Sequence, residues 1–363
     1  MIRTALTELL GIRYPVVQAA MGYVSGPRLA AATSDAGGLG LIASAPMSLA
    51  ELEKAIEETA GRTAGPFGVN LRADAPDAAE RVRLIVARRV PVASFAQAPK
   101  PELIAALKDA GVVTIASIGA RRHAEKAAGW GIDAVIATGG EGGGHVGAVP
   151  TSLLVPQVAA AVDIPVIAAG GFFDGRGLVA ALAWGAAGIA MGTRFLLTSD
   201  SPVADAVKHV YLAAGLDGTV VTRRVDGVPH RVLRTTMVDQ LEGRGRAGTG
   251  PASGPRRAGA LVRSARNAAA FRGLSGMSWR DMLRQGRVMR RDGGLSWGQV
   301  LMAANTPVLL RAAMVDGRTD LGLMSSGQVT GLIDDLPSCA ELIESIMAEA
   351  GATLDRLAAA RKA

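Results

Sequence analysis

Pro165-Val166-Ile167-Ala168-Ala169 is apolar at every position, so neither face of an extended segment here would meet water. A strand covered on both faces is what a parallel sheet flanked by helices produces. The same kind of run recurs at Val16 to Met21, Leu39 to Ser44, Phe67 to Leu71, Val90 to Phe95, Val112 to Ile118, Ala134 to Ala137 and Gly188 to Met191. Helical patterns lie between them. Ser25-Gly26-Pro27 opens one, with Ser25 able to cap and Pro27 suited to a first turn. Ser48-Leu49-Ala50-Glu51 is a capping box opening another. Ala78 to Arg89, Pro101 to Ala110, Arg121 to Gly129 and Ser152 to Val162 have helical spacing. Eight strand–helix units in about 215 residues predict a (β/α)8 TIM barrel in preference to a doubly wound sheet.

Beyond residue 216 the rhythm breaks. Thr219 to Thr222 and His230 to Thr235 are extended segments about a turn at Asp226-Gly227, and Gly243 to Gly259 lacks any apolar period. Helical material resumes at Arg280 to Leu283 and Trp297 to Met302, and the Ala-rich stretch from Leu336 to Arg361 predicts an outer helix. At 363 residues the chain is long enough for one large α/β domain with an insertion, or for two domains.

The 363 residues are 49% hydrophobic and 20% charged, which suits a packed globular protein. No apolar run reaches the roughly 18 residues of a membrane span, and the first residues lack a signal-peptide pattern. A cytoplasmic protein is expected. One Cys, Cys339, and four scattered His offer no metal-ligand spacing, so no metal is expected. The net charge of +7 is local: Arg244 to Arg291 holds twelve Arg and one acid, Asp281, which leaves the remainder at −4. Such a segment could meet nucleic-acid phosphates. With only Phe271 and Trp279 for base stacking, a nucleic-acid-binding barrel is the weaker reading. A solvated basic face, or one serving an anionic small ligand such as a coenzyme A nucleotide, is favoured.

Chemistry concentrates in Thr138-Gly139-Gly140-Glu141-Gly142-Gly143-Gly144-His145-Val146-Gly147. Six glycines in ten residues give up packing and chain entropy, which suits backbone that must approach something closely. His145 is the one side chain there that exchanges a proton near neutral pH, hence the candidate acid/base group; the alternative is a tight turn whose His caps a carbonyl. Glu141 could orient His145 or a ligand hydroxyl, or only cap the local glycine backbone. Gly170-Gly171 after the seventh strand and Gly192-Thr193 after the eighth, each before a helix, form an expected phosphate cradle. Asn70 at the end of the third strand could bind the edge of a flat heterocycle, Met21-Gly22 would let backbone approach one, and Gln18 and Ser117 are weaker candidates. His209 and His230 have no catalytic company in the sequence.

With those residues in view, the chain resembles the nitronate monooxygenase family, formerly 2-nitropropane dioxygenases. The resemblance rests on Gln18-Ala19-Ala20-Met21-Gly22, Gly37-Gly38-Leu39-Gly40, Gly140 to Gly147, Ala168-Ala169-Gly170-Gly171, Met191-Gly192-Thr193-Arg194-Phe195 and Ser326-Gly327-Gln328. It implies an FMN-dependent flavoprotein oxidoreductase with His145 as catalytic base. It further implies an FMN site made by Ala20, Met21, Gly22, Asn70, Ser117, Glu141, Gly143, Gly144, Gly170, Gly171, Gly192, Thr193 and Gln328, and a barrel of residues 1–215 and 316–363 whose mouth is covered by a mainly helical insertion of 216–315. Where Gly142 or Gly143 stands, the family's nitronate oxidisers carry Ala in a Glu-Ala-Gly-Gly-His motif. The all-glycine run is expected to leave more room beside the flavin.

Ser94-Phe95-Ala96, Gly171 to Gly177, His230 to Thr235 and Ala304-Asn305-Thr306-Pro307 are most similar to the IpdC-type branch, actinobacterial flavoproteins of steroid C- and D-ring degradation. That resemblance implies dehydrogenation of a cyclic keto acyl-CoA, by proton abstraction and hydride transfer to flavin. An acyl-CoA would give the Arg-rich insertion a task. Nitronate oxidation by O2 and NAD(P)H-dependent quinone or enoyl-thioester reduction are the neighbouring reactions. The purine nucleotide oxidoreductases, which share the glycine phosphate site, need a barrel-loop Cys, and Cys339 falls in the outer helix. A monomer or homodimer is expected.

Overall fold

The computed structural model describes residues 2–96, 99–242, 297–320 and 322–362. Strands β1 (Val16–Gln18), β2 (Leu39–Ala43), β3 (Phe67–Leu71), β4 (Val92–Phe95), β5 (Val113–Ile118) and β6 (Ala134–Thr138) run in parallel around a barrel. A two-residue strand, β7 (Gly144–His145), steps out of it. β8 (Val166–Ala169) and β9 (Gly188–Met191) then complete the ring, β9 pairing with β1 through Val17↔Ala190. The predicted TIM barrel is the fold.

Both faces of each strand are buried because the barrel has two apolar layers. Val17, Leu41, Val92, Ile115, Ile136 and Ile167 fill the interior, and Leu6 and Leu10 of the short helix Ala5–Leu10 join them. Val16, Ile42, Val69, Ala93, Val135 and Ala168 face the surrounding helices. Each fully buried Leu, Ile or Val side chain contributes about 2 kcal/mol.

Local signals are obeyed with one exception. Ser48 and Glu51 form the reciprocal capping box ahead of Leu49–Arg62. Ser25 does not cap: Gly26 is the N-cap of Pro27–Asp35, and the buried Ser25 hydroxyl instead receives the Met21 N–H at 2.9 Å and Gln18 Nε2 at 2.8 Å. Gln18 therefore clamps the chain after β1 from inside. The outer helix spans Cys339–Lys362 and packs on the helix Gly175–Ala183, where any side chain at Gly175 would strike the backbone of Ile346 and Ala350. Burial pushes the Cys339 thiol up to about 12, so it is inert at neutral pH.

A second sheet stands beside the barrel. β10 (Thr219–Thr222) and β11 (His230–Leu233) form the hairpin expected about Asp226-Gly227, and β11 pairs antiparallel with β7 in the register His230↔His145. The described part of 216–315 thus opens with a sheet and continues in the helices Thr236–Leu241 and Trp297–Met314. The arginines of 244–291 and the stretch Gly243 to Gly259 lie outside the described residues. Among the described residues no helix is long and apolar enough to cross a membrane.

Candidate active site

The glycine-rich loop after β6 is held from four directions. Gly139 donates its N–H to Ala169 O of β8 at 3.0 Å, and Gly140 donates to Val149 O at 2.8 Å. The Arg231 guanidinium on β11 donates twice to Gly140 O, at 3.1 and 2.9 Å. Gln328 N–H reaches Glu141 O at 3.0 Å, and Gly327 N–H reaches Thr193 Oγ1 at 2.9 Å. Ser326-Gly327-Gln328, far along the chain, thereby ties this loop to the end of β9.

That docking explains the glycine run. A Cβ at Gly143 would sit 2.7 Å from both Gly327 N and Ser326 C, and one at Gly142 would meet the Thr138 methyl at 3.0 Å. The expectation of extra room beside a ligand is corrected, since the space left by both missing side chains is taken by the chain itself. Glu141 leaves His145 alone. Its carboxylate accepts from the Thr151 N–H at 2.9 Å and hydroxyl at 2.7 Å, at the start of the helix Thr151–Ala159. Thr151 Oγ1 also lies 2.9 Å from Gly170 O. Glu141 thus caps a helix ten residues on, and neither His145 nor the local glycine backbone is its partner.

His145 is 55% exposed, and its Nε2 lies 2.6 Å from Asp226 Oδ2 of the β10–β11 turn. The other oxygen of that carboxylate accepts the Val228 N–H at 3.1 Å. Burial raises the Asp226 carboxyl, but the hydrogen bond and charge of His145, the Val228 N–H and His230 together hold it below the usual range. The His230 ring sits 4.7 Å from that of His145, centroid to centroid. His230 is 3% exposed, with Nε2 2.8 Å from Ser325 Oγ and no partner for Nδ1 among the described residues. Burial, seconded by His145, drives its pKa down to about 4, so it stays neutral at physiological pH. Tyr211 donates its hydroxyl to Ser325 O at 2.8 Å, fixing the segment His230 leans on.

The expectation that His230 lacks catalytic company is therefore corrected, and sequence reading also missed Asp226 beyond its place in a turn. Ligand atoms of His145, Asp226 and His230 lie within 4.8 Å of one another. The 2.6 Å between His145 Nε2 and Asp226 Oδ2 is nonetheless a hydrogen-bond distance. Two ligands about 2.1 Å from one metal ion stay roughly 3 Å or more apart.

The remaining candidates ring the mouth at the strand C-termini. Ala20, Met21 and Gly22 follow β1, with open space where a Gly22 Cβ would stand, and the Met21 side chain lies 3.5 Å from where a Gly192 Cβ would stand. Asn70 pairs with Ser94 across β3 and β4 and donates weakly to its hydroxyl at 3.3 Å. Ser117 is half-buried on β5. Gly170 and Gly171 carry φ of 98° and 86°, a conformation that favours glycine and turns the chain over the strand end. A Cβ at Gly171 would meet nothing closer than Glu141 Cβ at 3.7 Å. The helix behind them is closed to an anion, because Asp174 takes the Gly177 N–H and Glu349 the Gly175 N–H, each at 2.8 Å. An anion here would meet glycine backbone at Gly170-Gly171 and, at Gly192-Thr193, the start of the one-turn helix Thr193–Leu196. His209 bonds back to Asp205 O on an exposed helix face, away from these groups.

The model of the family described as nitronate monooxygenase matches residues 3–83 and 78–349. Over 352 residues the chain is 61% identical to the (3aS,4S,5R,7aS)-5-hydroxy-7a-methyl-1-oxo-octahydro-1H-indene-4-carboxyl-CoA dehydrogenase of Mycobacterium tuberculosis, covering 96% of each. It is 58% identical over 360 residues to the protein of the same name from Rhodococcus jostii, covering 99% of each. Among solved structures, FabK from Thermotoga maritima is similar at TM-score 0.78 and 34% identity over 99% of both chains.

Proposed function

The chain belongs to the nitronate monooxygenase family of flavin oxidoreductases, and from that premise we propose that it holds FMN and dehydrogenates a cyclic hydrindane-type acyl-CoA thioester, with His145 as base. The observation that carries this is the end-to-end likeness to the two acyl-CoA dehydrogenases, whose alignments span 96% and 99% of the chain and so include most or all of the 216–315 insertion.

The mouth fits such a cofactor. Ala20, Met21 and Gly22 offer close backbone with open space at Gly22, and Asn70 and Ser117 offer polar edges for a flat ring. Gly170, Gly171, Gly192 and Thr193 are the proposed phosphate cradle. Glu141, Gly143, Gly144 and Gln328 complete the wall through the contacts that pin the glycine loop. Bound FMN would supply the two-electron acceptor that a dehydrogenation requires.

The chain's own work is to move a proton. A thioester carbonyl acidifies its α C–H, and His145 accepts that proton as the β carbon gives up a hydride and a Cα=Cβ bond forms. The resulting imidazolium lies against the Asp226 carboxylate. The nucleotide phosphates of CoA would be met by the arginines of 244–291.

The test is an absorption spectrum of the purified protein followed by anaerobic titration with the hydrindane carboxyl-CoA thioester, a nitronate and NADH in turn. Bleaching of flavin absorbance by the thioester is expected. Bleaching by the nitronate or NADH alone would move the activity to that neighbouring reaction, and protein without flavin would end the proposal.

A further inference from the structure

We propose that Asp226 is a positioning residue that locks His145 in the Nε2–H tautomer, so that proton abstraction occurs at Nδ1 and the base is complete only when the β10–β11 hairpin is paired with β7. This rests on His145 being the base. The geometry is specific about the atoms. Asp226 Oδ2 lies 2.6 Å from His145 Nε2, and an ionised carboxylate can only accept, so the hydrogen between them belongs to the imidazole. A neutral imidazole carries one hydrogen, which leaves the lone pair on Nδ1. The carboxylate cannot swing away easily, because its second oxygen is held by Val228 N–H at 3.1 Å inside the turn that Gly227 completes with φ 84°.

His230 makes the arrangement selective. It faces His145 across the β7–β11 pair and packs at 4.7 Å between ring centroids. Only one imidazolium can be accommodated there, and the buried ring stays neutral. The proton taken from substrate therefore stays on the exposed His145 ring beside its counter-charge. None of this machinery belongs to a barrel strand. β7 contributes His145 and the hairpin contributes both partners.

The holoenzyme variants Asp226→Asn, Asp226→Glu and His145→Ala separate the possibilities, with flavin reduction by the hydrindane carboxyl-CoA thioester followed anaerobically. An Asn can turn its NH2 toward Nε2 and so favour the Nδ1–H tautomer. Asp226→Asn should slow reduction about 100-fold while thioester affinity stays within about twofold and flavin is retained. Asp226→Glu should recover about tenfold of that loss. Nitrogen-15 spectra, with the His145 ring identified by its loss in His145→Ala, should show Nε2–H in the native protein and a shift toward Nδ1–H in Asp226→Asn. A native rate or an unmoved ring spectrum in Asp226→Asn, with His145→Ala inactive, overturns the positioning role alone. Full reduction by His145→Ala overturns the underlying assignment of the base.

Discussion

The two sides of the barrel mouth are built from opposite materials. At β8 and β9 the walls are backbone: Gly170, Gly171, Gly192 and Thr193, with neighbouring carboxylates occupied elsewhere. At β7 the wall is side chains, where Asp226, His145, His230 and Ser325 touch in that order. The first side follows directly from the ends of two barrel strands. The second is assembled by a small sheet that the barrel does not require, so cofactor retention and proton chemistry should fail separately when each side is altered.

The largest effect should come from the backbone side. Gly170→Val puts a branched side chain at φ 98° with its Cβ 3.0 Å from Thr151 Oγ1 and 3.1 Å from Gly139 O. A loss of about 4 kcal/mol, with release of flavin, is expected in denaturant unfolding; a variant that keeps both native stability and flavin would break the contrast. Gly143→Ala comes next, at about 3 kcal/mol, because its Cβ would press on the Ser326–Gly327 backbone at 2.7 Å. Gly142→Ala meets a methyl group at 3.0 Å and should cost about 1 kcal/mol. If the order of these two were reversed, the docking of Ser326-Gly327-Gln328 would not be what demands glycine.

Thr151→Val tests the bridge between the two sides. It removes the hydroxyl shared by Glu141 and Gly170, so about 2 kcal/mol should be lost and urea midpoints should report it. The effect at His230 depends on pH. Its folded pKa of about 4 lies below the unfolded value of 6.5, so the unfolded chain takes the proton first as pH falls. Native stability should therefore drop by about 1 kcal/mol between pH 7 and 5.5 on this account. His145 and Asp226 face the same ring, so the comparison is with His230→Gln, which should show a flatter profile. Equal slopes would mean that His230 does not stay neutral.

The barrel was legible because its strands are apolar on both parities, which requires a helix-covered parallel sheet, and because eight strand–helix units follow in succession, which favours closing that sheet. The hairpin was visible too, as two extended runs about Asp226-Gly227. What was not legible is the contact between His145 and Asp226, 81 residues apart. It is set by the register of a strand only two residues long, Gly144–His145, which has no periodicity to read. His230 looked isolated for the same reason, since its neighbour lies across a sheet and not along the chain. Glu141 shows the converse failure. A carboxylate four residues before a histidine suggests a working pair, yet the Thr151 N–H and hydroxyl claim it.

The return of Ser326-Gly327-Gln328 to Gly143 and Thr193 has a consequence for synthesis. Every barrel strand, and the glycine loop itself, leaves the ribosome before that segment does, so the loop must wait for its clasp. The helix Cys339–Lys362, which lays Leu342, Ile343, Ile346 and Ala350 into the barrel's outer apolar layer, emerges later still, so a copy stopped before residue 326 would lack both the clasp and part of the barrel's cover.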